Sequence, residues 1–380
     1  MKKYSGLSDT LGITPLPSYS SDAIAALLWA REVLQNHLTT SNSAQGPDGV
    51  EELKAVKING VDQWLHIRGR DSGNPVLLYL HGGPGDSLIG RLDTTFRPWE
   101  DYFTVVRWDQ RQSGKSYHPD YQCKQPISVE LMIEDAAEVV KYLCKYLRQS
   151  KIFLLGHSWG SVLGMHIVKR LPEHLYAYIG VGQLVNWMNN ERTKYQRLLS
   201  HAKAQKIHPL ISRLETMAPY PNPDCPAKSV VENDDFIVSE LSRLAGEANM
   251  HRLKADDPAN ILAFDCFISP HFTVEHFVNR VLGYREFFDC PPYDFTNEYL
   301  RIDLPNDVGS SFDVPIVFFS GTHDWHTPTV LSDQWFDEIS APHKQLIHFK
   351  ESCHYIVNEE PGKVLVALVN QVLPLAQQGE

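Results

Sequence analysis

Ser158 stands in Gly156-His157-Ser158-Trp159-Gly160, a Gly-x-Ser-x-Gly pentapeptide that directly follows the apolar run 152–155. A serine hydroxyl is a weak nucleophile at neutral pH, so it needs a histidine to take its proton and an acid to orient that histidine. The chain offers both further on. Asp324, in Gly321-Thr322-His323-Asp324, follows the apolar run 314–320, and His354 lies just beyond the short run 345–349. Asp313 precedes its run and Asp333 falls in the helical pattern that comes next, so Asp324 is the better placed acid. Glycines on both sides of Ser158 permit a tight, strained turn that lifts the hydroxyl above a strand. A helix after that turn aims its first amides at developing negative charge. The chemistry indicated is acyl transfer through a covalent serine intermediate, with Ser158, Asp324 and His354 as the catalytic residues.

A tetrahedral oxyanion needs donors as well. His81-Gly82-Gly83-Pro84-Gly85 follows the run 76–80, where a loop amide can face the nucleophile. Gly83 is the expected donor, the amide of Trp159 the second, and Gly82 an expected contact with substrate. No cofactor is required. The cysteines at 123, 144, 225, 266, 290 and 353 form no close pair of the zinc or redox kind, so reduced thiols of a cytoplasmic protein and no metal site are expected. Cys353, although beside His354, reads as a small buried hydrophobe. His157, His323 and His326 are expected to line the mouth of the site or to make local hydrogen bonds.

These residues have to be carried by elements. The runs 76–80, 103–108, 152–155, 178–181 and 314–320 are short and almost wholly apolar, as strands buried on both faces are, so they predict a parallel sheet. Ile133, Ala136, Ala137, Val140, Leu143, Cys144 and Leu147 recur at helical spacing and supply a crossover. Two alternating stretches, 53–58 and 63–69, meet at Asn59-Gly60 and predict an opening hairpin. Before them, Ile24, Leu27, Leu28, Leu34 and Leu38 predict an amphipathic helix packed on the main domain or on a partner subunit, followed by a polar linker at 41–50. From 183 to about 304 the strand rhythm gives way to charged, helix-prone segments. The expected organisation is therefore 1–50 as helical extension and linker, 51–182 and 305–380 as the two parts of the core, and 183–304 as an inserted helical cap.

With 380 residues, 43% hydrophobic and 21% charged, the chain has ordinary globular usage. Its net charge of -11 and lack of a basic block disfavour nucleic acid and anionic membrane as partners. The early apolar run 23–30 is too short to span a bilayer. A small-molecule or short-peptide substrate is expected, and a homo-oligomer is left open.

The order nucleophile, acid, histidine is that of the α/β-hydrolases. Three segments together resemble the prolyl iminopeptidase family within them: 81–85, then Trp108-Asp109-Gln110-Arg111-Gln112-Ser113-Gly114-Lys115-Ser116, and 156–160. The likeness runs from about Leu53 to Pro361 and weakens through 183–304. Gln112 and His157 stand where the family commonly has glycine, and Ser352-Cys353 where it has small residues before the histidine. Asp109 and Arg111 read as a structural turn beside the oxyanion loop. The resemblance implies an aminopeptidase that releases an N-terminal residue, preferably proline, and holds its ammonium group with acidic cap residues. Glu191 is the candidate for that contact, a solvated helix face being the alternative for it, with Glu215 or Glu240 as a second acid. The family's esterases keep a carboxylesterase or lactonase open. A hydrolase fold retained only for binding is disfavoured, because all three catalytic positions are filled.

Overall fold

A computed structural model describes residues 23–41, 43–44, 46–91, 93–119, 127–222, 233–234, 236–241, 244, 268–273, 275–276, 278–279, 282 and 295–377. Its centre is an eight-stranded sheet of order β1-β2-β4-β3-β5-β6-β7-β8. The hairpin β1 (Val50–Ile58) and β2 (Val61–Gly69) turns at Asn59 and Gly60, both at positive φ, which matches the right-handed twist of the strands it joins. β2 pairs antiparallel with β4 (Thr104–Asp109). From there β3 (Val76–Leu80), β5 (Ile152–His157), β6 (Leu175–Val181), β7 (Ile316–Gly321) and β8 (Lys344–Phe349) continue in parallel.

Every residue of β3, β4 and β7 is buried, which is why these strands read as continuous apolar runs rather than alternating ones. Successive side chains go to opposite faces. Leu78 and Leu80 join one core cluster, whereas Leu77 and Tyr79 join the other. The first cluster is closed by α2 (Val129–Tyr146), which presents Met132, Ile133, Ala136, Val140 and Leu143, and by α3 (Trp159–Arg170). Ser128 caps α2, its hydroxyl accepting from the Leu131 amide at 3.0 Å. The second cluster is closed on the other face by α8 (Pro361–Ala367) and the turns after it.

Between β6 and β7 the described residues add no strand to the sheet. Helices α4 (Trp187–Ala204), α5 (His208–Glu215) and α6 (Phe295–Leu300) lie here, and residues 236–241 are helical. Tyr195, Leu198, Leu210, Leu214, Ile237 and Leu241 form a third, separate cluster. The two ends of this segment are joined: the Trp187 amide donates to the Ile302 carbonyl at 3.0 Å, and the Leu304 amide to the Val185 carbonyl at 2.9 Å. α7 (Thr329–Glu338) then connects β7 to β8.

Two details of the N-terminal region add to the expected helix and linker. The helix exists as α1 (Ala23–Ser41), but Leu28 and Leu34 of its expected inward stripe are 56% and 38% exposed. The helix meets the body through polar atoms: Arg31 donates to the Phe272 carbonyl at 2.5 Å and Gln35 to the Ser269 carbonyl at 2.6 Å, while Leu38 is half-buried. The linker is also anchored, since Ala44 is buried and its amide donates to the Glu51 carboxylate at 2.9 Å. No helix among the described residues is long and apolar enough to cross a membrane.

Candidate active site

β5 ends at His157 and α3 begins at Trp159, so Ser158 alone makes the turn between them. It does so at φ 55°, ψ -122°, a strained conformation for a residue with a side chain. The flanking glycines explain how the turn closes. A Cβ on Gly156 would lie 2.5 Å from the Gly160 carbonyl oxygen, and one on Gly160 would lie 2.1 Å from that of Leu80. The Ser158 amide donates to the Val181 carbonyl at 3.0 Å, pinning the turn to the end of β6.

Asp324 follows β7 and His354 follows β8, and the structure brings the two together. The His354 Nδ1–H donates to Asp324 Oδ2 at 2.8 Å, which leaves the lone pair of a neutral ring on Nε2. The amides of His326 and Thr327 donate to Oδ1, and the Thr327 hydroxyl to Oδ2, each at 2.9 Å. Burial pushes the Asp324 carboxyl up, but the charge and hydrogen bond of His354 together with the other donors outweigh it, so the group lies below the usual carboxylate range. Asp313 is exposed and Asp333 engages His348 at 2.9 Å, so neither competes for His354.

Gly182, at the end of β6, links the pair to the serine turn. At φ +53°, a Cβ there would come within 3.1 Å of the His354 ring and 3.2 Å of Asp324 Oδ2. His354 is flanked by two further imidazoles, His326 stacked at 4.7 Å between centroids and His157 tilted at 4.8 Å. Burial, then the neighbouring His354, lowers His157 to about 4 and His326 to about 3, so both are neutral at neutral pH. His157 Nε2–H donates to the His354 carbonyl at 2.9 Å. Cys353 is buried, and burial pushes its thiol far above the range in which it could act as a nucleophile. Cys144 is likewise buried and outside any disulfide, whereas Cys123, Cys225, Cys266 and Cys290 lie outside the described residues.

The loop 81–85 lies directly against the serine: a Cβ on Gly82 would sit 3.2 Å from Ser158 Cβ. Gly83 has φ +112°, and a Cβ on it would lie 2.7 Å from the Asp86 amide nitrogen. Beside this loop is a half-open cleft of about 370 Å³, including solvent at its mouth, lined by Tyr79, Gly82, Asp86, His157, Tyr355 and Asn358 among others. Asp109 and Arg111 are supports, as their positions suggested. Asp109 accepts from the amides of Leu88, Ile89 and Lys115, and burial raises it to about 6 against those bonds. Arg111 makes a two-pronged pair with buried Asp135 at 2.6 and 2.8 Å.

Glu191 is not on a solvated helix face. It is wholly buried in α4, accepts from the Tyr220 hydroxyl at 2.5 Å and pairs with Lys194, which also pairs with Asp234. Burial, reinforced by Asp234, raises Glu191 to about 8. The second acid in contact with Lys194 is thus Asp234, which no spacing rule connects to position 191, while Glu215 is exposed. The adjacent Asn190 donates to the His326 carbonyl at 2.6 Å, joining α4 to the imidazole stack. Gly182, Thr327 and Asn190 escaped the sequence reading. The only available signal was for Gly182, a glycine at the C-terminal end of an apolar run. Among the described residues no group of three His, Cys, Asp or Glu side chains could hold a metal ion.

The sheet, the serine turn and the acid–histidine pair together define an α/β-hydrolase. Residues 75–216 match the family described as the alpha/beta hydrolase fold. A probable aminopeptidase of Bacillus subtilis is 32% identical over 313 residues, covering 82% of this chain and 92% of that protein. A proline iminopeptidase of Thermoplasma volcanium is 27% identical over 172 residues, 44% of this chain and 54% of that one. The crystal structure of the Mycobacterium smegmatis proline iminopeptidase shares the fold with a TM-score of 0.55 at 18% identity, covering 87% of this chain and all of the other (100%). The chain belongs to the alpha/beta hydrolase family, and within it resembles the proline iminopeptidases.

Proposed function

We propose that the protein is a serine hydrolase that releases an N-terminal residue, preferably proline, from short peptides or aminoacyl amides through an acyl-enzyme. The observation that carries this reading is the strained backbone of Ser158, its amide bonded to the Val181 carbonyl, while the next residue, Gly182, packs against the His354–Asp324 pair. His354 Nε2 takes the proton of the Ser158 hydroxyl as Ser158 Oγ attacks the carbonyl carbon. The same proton goes to the leaving amine as the C–N bond breaks, and water, deprotonated in turn by His354, hydrolyses the ester. The amides of Gly83 and Trp159 hold the oxyanion, Gly82 touches the acyl group, and Asp324 keeps the imidazole oriented and stabilises its protonated form. The segment 183–304 acts as the cap that selects substrate. The aminopeptidase names of the relatives support the exopeptidase part of this reading.

One feature favours a second reading. Glu191 is already in contact with Lys194 and burial favours its protonated form, so a substrate ammonium meets a built-in cation and a weakened acid. A carboxylesterase or lactonase acting on an uncharged acyl group would need no such exchange. Release rates for proline p-nitroanilide and for a short p-nitrophenyl ester separate the two: the first reading requires the anilide to be hydrolysed with the higher kcat/KM. Failure of a fluorophosphonate to label Ser158 would sink both.

A further inference from the structure

We infer that Gln110 is a positioning residue that orients both oxyanion donors at once; this rests on the proposed roles of the Gly83 and Trp159 amides. Gln110 follows β4 directly and is fully buried between the loop 81–85 and the head of α3. Its side-chain Oε1 accepts from the Trp159 indole N–H at 3.0 Å, and its Nε2 donates to the His81 carbonyl at 2.9 Å. An indole N–H only donates and a carbonyl only accepts, so the amide has a single permitted orientation.

The backbone of Gln110 adds a second link. Its N–H donates to His81 Nε2 at 3.1 Å, which places the proton of a neutral His81 ring on Nδ1, and that Nδ1 faces the Gly82 carbonyl at 2.8 Å. The Gly82 carbonyl and the Gly83 N–H are opposite ends of one planar trans peptide unit. Holding the carbonyl therefore aims the Gly83 N–H the other way. Gln110 thus reaches one donor through His81 and the other through the side chain of Trp159, and it fixes their separation. Oxyanion stabilisation depends on donors placed to within a few tenths of an ångström, so this restraint acts on the rate more than on substrate binding.

Gln110→Met keeps the length and removes both hydrogen bonds of the side chain. With a short p-nitrophenyl ester, its kcat is expected to fall by about 10²-fold with KM changed less than about threefold. Affinity for a boronic acid, which forms a tetrahedral adduct on serine, should fall by a similar factor. Gln110→Glu supplies a test that packing damage cannot imitate. The ionised carboxylate still accepts from Trp159 but cannot donate to His81, whereas the protonated acid can do both, and burial raises its pKa into an accessible range. The ratio of its kcat to that of the wild type should therefore climb toward one as pH is lowered. A ratio flat with pH, or a Gln110→Met enzyme within about threefold of wild type in both kcat and boronate affinity, overturns the inference. If Gln110→Met does not fold, the Gln110→Glu ratio decides alone. Wild-type protein left unlabelled at Ser158 by a fluorophosphonate would instead refute the acyl-enzyme reading, which keeps the two failures apart.

Discussion

Asp324 accepts four hydrogen bonds, and only one of them comes from His354. Asp324→Asn therefore keeps most of its local scaffold while presenting the wrong partner to the imidazole. Its kcat should drop by about 10⁴, the size seen when a triad acid loses its charge, and Asp313→Asn should leave kcat unchanged. Equal effects of the two substitutions would move the acid elsewhere. Ser158→Ala should abolish turnover at unchanged fold, measured as ester hydrolysis beside a far-ultraviolet circular dichroism spectrum. For Glu191→Gln, the exopeptidase reading expects KM for an unblocked proline anilide to rise while that for an ester without an amino group stays constant. No difference between the substrates would leave Glu191 a structural partner of Lys194. The places of Ser158, Asp324 and His354 at strand ends were legible because each directly or closely follows an apolar run. The burial of Glu191 was not legible. α4 is rich in charged and polar residues, and the face holding Glu191 and Lys194 is covered by Tyr220, which lies outside the helix.

α3 is tightly fitted to the sheet. A Cβ on Gly164 would lie 2.3 Å from the Tyr178 ring, so Gly164→Ala should destabilise the fold by about 1–3 kcal/mol. Gly362, in the first turn of α8, has nothing within 4 Å of an added Cβ, and Gly362→Ala should stabilise by about 0.4–1 kcal/mol. Denaturant midpoints measure both, and a Gly164→Ala midpoint at or above that of wild type would contradict the packing described for α3. Strands buried on both faces were read from apolar continuity to within a few residues, since runs this short, bounded by turn residues, have the length of a strand rather than of a helix. β8 was harder: it is an edge strand with a mixed face, Lys344 and His348 being exposed. α1 was legible as a helix, but the bonds that hold it to the body were not. The atoms that hold it, the carbonyls of Ser269 and Phe272, are main-chain acceptors that leave no mark in a sequence.

Across the whole molecule, two buried carboxyls pull stability in opposite directions with pH. Asp324 is held below its ordinary value by the donors around it despite burial, so its contribution is present above that ordinary value and disappears as pH falls through the folded pKa. Glu191 is raised by burial and by Asp234, so the folded state favours its protonated form. That contribution is full below the ordinary carboxylate pKa and is lost as pH rises toward about 8. Denaturant midpoints from pH 5 to 9 should therefore decline with a shallower slope in Glu191→Gln than in wild type; identical slopes would count against the raised carboxyl. The joined ends of the segment between β6 and β7 bear on the protein's history. Because Val185 and Trp187 bond to Leu304 and Ile302, the intervening chain leaves and re-enters the sheet at a single seam. β6 and β7 pair directly on the sheet side of that seam, Gly180 opposite Phe318. Apart from the Asn190–His326 contact, descent can therefore lengthen or exchange what lies beyond it while the strand ends that carry Ser158, Asp324 and His354 keep their places. On the proposed function, a lineage built this way changes its diet without having to reinvent its cutting edge.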